Sequence, residues 1–117
     1  MANAFFKRRP LVSTKVIVEI TGTGHTSRCY AEIGGTKHAA AVSDIEVLPG
    51  DVITFLVRGR SSTYVGQVVI DGSTVLSVTS ATTKTYEWTV PANISKITIA
   101  LSYNSTQANG TITVTTS

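Results

Sequence analysis

The chain has 117 residues and a formal net charge of +3, and only 15% of its residues are charged. That length fits one domain able to bury a core without a metal or a disulfide, and the single cysteine rules out an internal disulfide. Lys7, Arg8 and Arg9 carry the whole excess charge, because from residue 14 onward seven basic residues face seven acidic ones. A formally neutral body argues against a nucleic-acid-binding face, which needs clustered excess charge.

The first thirteen residues, MANAFFKRRPLVS, read as an extended arm. They hold no acid. Phe5 and Phe6 stand beside Lys7, Arg8, Arg9 and Pro10. Each phenylalanine gains roughly 1.5–3 kcal/mol if burial is available, so a docking site explains the pair best. Pro10 removes a backbone donor and favours an extended approach to the first strand. Fully extended, the arm reaches about 40 Å, far enough to cross onto a neighbour. The basic residues would then pair with acids beside the docking site. Nucleic acid is the competing partner, but three charges bind it weakly and leave both phenylalanines unexplained unless they stack on bases. No apolar run follows the charges, so the expectation is no signal peptide. No run approaches the length of a membrane span, so no membrane partner is expected.

From residue 14 the chain reads as strands. TKVIVEIT (14–21) alternates, with Val16, Val18 and Ile20 on one face. RCYAEI (28–33), a GG turn and TKHAAA form the next strand, turn and return. DIEV ends at LPGD, a proline–glycine turn. VITFLVR (52–58) is apolar enough for a central strand. RGRSST (58–63) follows, with Arg58 and Arg60 either contacting an anionic partner or solvated at a hairpin tip. YVGQVVI (64–70) and STVLSVT pair through a DG turn. TYEWTV (85–90) puts Tyr86, Trp88 and Val90 on one face, with Trp88 as the expected core anchor. SKITIALSY (95–103) aligns Ile97, Ile99, Leu101 and Tyr103, and GTITVTT closes the chain. No stretch carries helical periodicity. The expectation is an all-β sandwich, residues 14–117, of about seven to nine strands. A loose echo links the two halves. It reads either as duplication or as the convergent turn chemistry of any Greek-key sandwich.

Catalytic patterns are weak. His25, His38 and Cys29 lack the spacing of a zinc site. There is no GxSxG elbow, and Asp51 and Asp71 sit in turns that aspartate stabilises. Cys29 alternates with Ala31 and Ile33 as a small core residue. Three Asn-X-Ser/Thr stretches read as chance matches in a chain so rich in Ser and Thr. The reading is non-enzymatic, with no catalytic, metal or cofactor residues.

The runs KRRP, CYAEIGGTKHAAA, IEVLPGDVITFLV, GQVVIDGSTVL, TYEWTVP and GTITVTT resemble small Ig-like proteins of tailed bacteriophages, over nearly the whole chain. The resemblance implies an Ig-like β-sandwich carried on the virion in several copies. It implies attachment to the major capsid, neck or tail protein, as a capsid decoration or tail accessory made in the host cytoplasm. On that reading, Phe5, Phe6, Lys7, Arg8, Arg9 and Pro10 are the anchor, and Arg58 and Arg60 a secondary contact. The family also implies weak contact with host-surface sugars, although no sugar-binding motif is matched. A carbohydrate-binding module for host adhesion is the alternative function.

Overall fold

A computed structural model describes residues 14–117, and the aromatic and basic residues of the arm lie outside that range. Among the described residues, ten strands form two packed sheets. They are β1 (Val16–Thr23), β2 (Cys29–Ile33), β3 (Thr36–His38), β4 (Ala40–Val47) and β5 (Val52–Arg58). Then come β6 (Gly66–Ile70), β7 (Ser73–Val78), β8 (Thr83–Thr89), β9 (Lys96–Ser102) and β10 (Thr111–Thr116). The larger sheet runs β4-β1-β9-β10-β6-β7, the smaller β3-β2-β5-β8. The protein is therefore an all-β sandwich.

Ten is just above the seven to nine strands expected, and one strand boundary differs from the sequence reading. TKHAAA reads as one return, but the chain leaves the small sheet after His38 and joins the large one at Ala40. At the crossing, the Ala39 carbonyl accepts from the Gly24 amide at 2.8 Å. One apparent strand thus serves both layers.

Alternation decides the core. Val16, Val18 and Ile20 of β1 are buried, and Val18 and Ile20 lie beside Ile97 and Ile99 of parallel β9. Leu101 and Ile99 of β9 face Ile112 and Val114 of antiparallel β10. From the other layer come Cys29, Ala31, Ile53, Phe55 and Val57. Phe55 is the largest fully buried side chain. Trp88, expected as the anchor, is only half-buried, because β8 is the outer strand of its sheet. It packs on Phe55 with ring centroids 6.5 Å apart. Tyr30 has outward parity yet is covered, with the Lys37 ammonium 5.2 Å above its ring.

Turn chemistry fixes the hairpins. Gly34 and Gly35 have φ of 58° and 83°, and Asp71 and Gly72 have 49° and 85°. Positive φ at both central residues suits the twist of the flanking strands.

The pairing registers give the sandwich two distinct ends. At one lie Thr14, the Gly34–Gly35 turn, the 48–51 turn, the Asp71–Gly72 turn and the 90–95 connection. At the other lie the 24–28, 59–65, 79–82 and 103–110 connections.

Candidate functional site

Thr14, the first described residue, stands at the first of these ends. Thr14 lines a pocket of about 630 Å³ with Leu48, Pro49, Ala92, Asn93, Ile94, Ser95 and Ser117. Two turns build its walls. The Leu48 amide donates to Asp51 Oδ2 at 2.9 Å, and the Asp51 amide donates to the Leu48 carbonyl at 3.0 Å. Gly50, at φ 96°, donates to the Val90 carbonyl and ties this turn to the connection after β8. Asn93, at φ 68°, bends the opposite wall. Leu48 is 43% exposed, a large apolar side chain left open at the mouth. Sequence reading missed this pocket, because its walls come from connections more than forty residues apart.

The same end collects acid. Glu46 pairs with Lys15 at 3.4 Å across exposed surface, and Asp51 braces its own turn as expected, whereas the Asp71 carboxylate reaches out of its turn to Thr116. Asp71 Oδ1 accepts from the Thr116 amide at 2.9 Å, which ties the β6–β7 turn to the last strand.

Arg58 and Arg60 lie at the far end. Their loop is not a hairpin tip, because β5 belongs to the small sheet and β6 to the large one. Gly59 and Gly66 bracket this crossing and are buried. A Cβ on Gly59 would meet the Val78 carbonyl at 2.1 Å, and one on Gly66 would meet the Arg58 carbonyl at 2.6 Å. Backbone passes too close here for any side chain. The loop closes on itself through Arg60 amide to Tyr64 carbonyl, 2.9 Å, and Tyr64 amide to Ser61 Oγ, 3.2 Å.

Arg28 joins these two arginines. The Arg58 amide donates to the Arg28 carbonyl at 2.9 Å, continuing the ladder in which Cys29 faces Val57. Arg28 carries no motif in the sequence. Only the β2–β5 register brings it to this loop.

The remaining candidates gather no side-chain site, although the His25 and Cys29 backbones pair as an isolated bridge. His25 packs against Tyr103 with tilted rings 5.6 Å apart, and Ser27 Oγ lies 3.0 Å from its Nδ1. His38 ends β3. Among the described residues, no three His, Cys, Asp or Glu side chains gather as metal ligands. Cys29 is fully buried, and burial pushes its thiol up to about 11 despite weak contacts to the Ser102 and Thr111 carbonyls.

Comparison with protein families, with curated proteins and with solved structures returned no match.

Proposed function

We propose that this protein is a non-enzymatic structural protein of a tailed-phage virion, an Ig-like sandwich attached through residues 2–12 to a capsid or tail protein. The observation that carries the reading is compositional. Adjacent Phe5 and Phe6, followed by three cations, precede a body whose own charges sum to zero. Apolar side chains supply the attachment free energy, and Lys7, Arg8 and Arg9 set orientation and encounter rate.

The body supports this role by what it presents. Its polar positions are filled by Thr and Ser more than by charge. Such a surface suits close neighbours in an assembly better than isolation in solution. Thr14, to which the arm is joined, stands at one end of the sandwich.

The double substitution Phe5→Ala with Phe6→Ala tests the reading. Assembled particles should lose most of the bound protein, measured by quantitative mass spectrometry of purified virions. Wild-type occupancy with both phenylalanines removed would refute attachment through the arm.

A further inference from the structure

Leu48 and Val52 flank one turn, and they are two of the three large apolar side chains left exposed among the described residues. The turn itself is held firmly, by Asp51 within it and by the Gly50 amide on the Val90 carbonyl. It borders two recesses. Leu48 and Pro49 line the pocket of about 630 Å³ that Thr14 and Ile94 also line. Asp51 and Val52 line a second recess of about 330 Å³, together with Ile33, Val47 and Glu46. Apolar surface left open on both flanks of a fixed turn marks an interaction site.

Charge singles out the same end. The four connections at the far end contain no carboxylate, and that end carries Arg28, Arg58 and Arg60. At the near end, Glu46 and Asp51 line the smaller recess. Asp71 accepts from Thr116, the neighbour of Ser117 in the wall of the larger one. The two salt bridges among the described residues, Lys15–Glu46 and Lys96–Glu19, involve neither Asp51 nor Asp71. A segment with apolar side chains followed by cations therefore fits the near end and is repelled by the far one.

The chain joins such a segment to this very end. Phe5 and Phe6 precede Lys7, Arg8 and Arg9, and Thr14 follows Phe6 by eight positions. Eight residues span at most about 26 Å, enough for a reversal that returns the phenylalanines to the level of Thr14. Pro10 falls midway, and proline is favoured at the second residue of a tight turn.

We infer that in the free protein the arm folds back on its own body and seats Phe5 and Phe6 against the Leu48–Asp51 turn. Adjacent side chains on an extended segment point to opposite sides, so one phenylalanine enters each recess. Lys7, Arg8 and Arg9 then lie beside Asp51 and Asp71. A short tether holds its end at an effective concentration on the order of millimolar, which favours the arm of the same chain over that of a second copy. The contact covers both phenylalanines until a partner takes the arm, and it does not depend on the identity of that partner.

The arm's own cations provide the test. Trypsin cuts after Lys7 and Arg8, and its rate on a segment in rapid equilibrium tracks the open fraction. The full chain is compared with Leu48→Ser/Val52→Ser, which removes both apolar flanks and leaves the cleaved bonds unchanged. Val75→Ser is the control, the third exposed apolar side chain, on β7 at the opposite edge of the large sheet from β4. Cleavage should be at least about fivefold faster in Leu48→Ser/Val52→Ser and within about twofold of wild type in Val75→Ser. Protection in wild type should not change with protein concentration. A second readout leaves the body untouched: in Phe5→Ala/Phe6→Ala, the amide NMR signals of Leu48, Asp51, Val52 and Ile94 should move while those of the 59–65 connection stay. It remains decisive if Leu48→Ser/Val52→Ser folds poorly. Equal cleavage of wild type and a folded Leu48→Ser/Val52→Ser chain would overturn the inference, as would turn amides that ignore loss of the phenylalanines. Protection that grows with protein concentration would also overturn it, because the arm of a second copy then fills the recesses. No virion component is present, so none of these outcomes bears on attachment to particles.

Discussion

Cys29 shows how a residue's chemistry follows from its neighbours. The thiol is fully buried between the sheets, and desolvation is the largest influence on it. Two backbone carbonyls, of Ser102 and Thr111, oppose the effect without cancelling it. Its thiol is pushed up from 9.0 to about 11. The raised value makes the sign plain. Below pH 9 both folded and unfolded thiols are protonated, so the stability associated with this group is fully present. Between pH 9 and 11 the unfolded thiol ionises while the native one cannot, and stability falls by about 2 kcal/mol. Urea titrations at pH 8 and pH 11 should show that loss in wild type and a smaller one in Cys29→Ala. At pH 8 the native thiol should also react far more slowly with Ellman's reagent than it does in urea. The alternation of Cys29 with Ala31 and Ile33 made the core position legible in sequence, but the two carbonyls beneath it belong to strands far along the chain.

Elements bring a different kind of constraint, the distance between backbones. Gly22 sits near the end of β1 with φ 82°, opposite Leu101 of parallel β9. A Cβ there would lie 2.0 Å from the Leu101 carbonyl oxygen. Gly35 has nearly the same φ, 83°, but opens to solvent with nothing near its Cβ position. The pair separates conformational strain from collision. Gly35→Ala should cost about 1 kcal/mol. Gly22→Ala should cost more, on the order of 2–3 kcal/mol, because β1 must also move off β9. Chemical-denaturation midpoints measure both, and equal losses would mean that the close approach carries no weight. Sequence alternation ends the first strand at Thr21, whereas β1 continues through Thr23. Pairing with β9 extends a strand past the glycine that seemed to end it. The same effect made Trp88 an apparent anchor. Its alternation with Tyr86 and Val90 was readable, but its place on an outer strand was not.

At the scale of the molecule, the domain boundary placed near residue 13 has a thermodynamic consequence. Among the described residues, the buried apolar ones range from Val16 to Val114, and all belong to the two sheets and their connections. A chain beginning at Ser13 should therefore unfold cooperatively, with a thermal midpoint within a few degrees of the full chain. Loss of cooperativity in calorimetry would mean that the arm contributes to the core. Light scattering on the same two proteins separates arm partners: a drop in mass on truncation joins copies of this chain, and unchanged mass points to a different protein.

The sequence by itself determined the all-β class, the inward face of most strands, the two positive-φ hairpin turns and the separation of basic arm from neutral body. These are local properties, set by period-two alternation, glycine conformation and charge order along the chain. Only the tertiary structure decided that TKHAAA serves two layers, that Phe55 outranks Trp88 at the centre, and that Arg28 joins Arg58 and Arg60 at a carboxylate-free end. Those facts depend on which strands pair and in which register. Register is fixed by burying many side chains at once across both sheets, so no single stretch of sequence contains it.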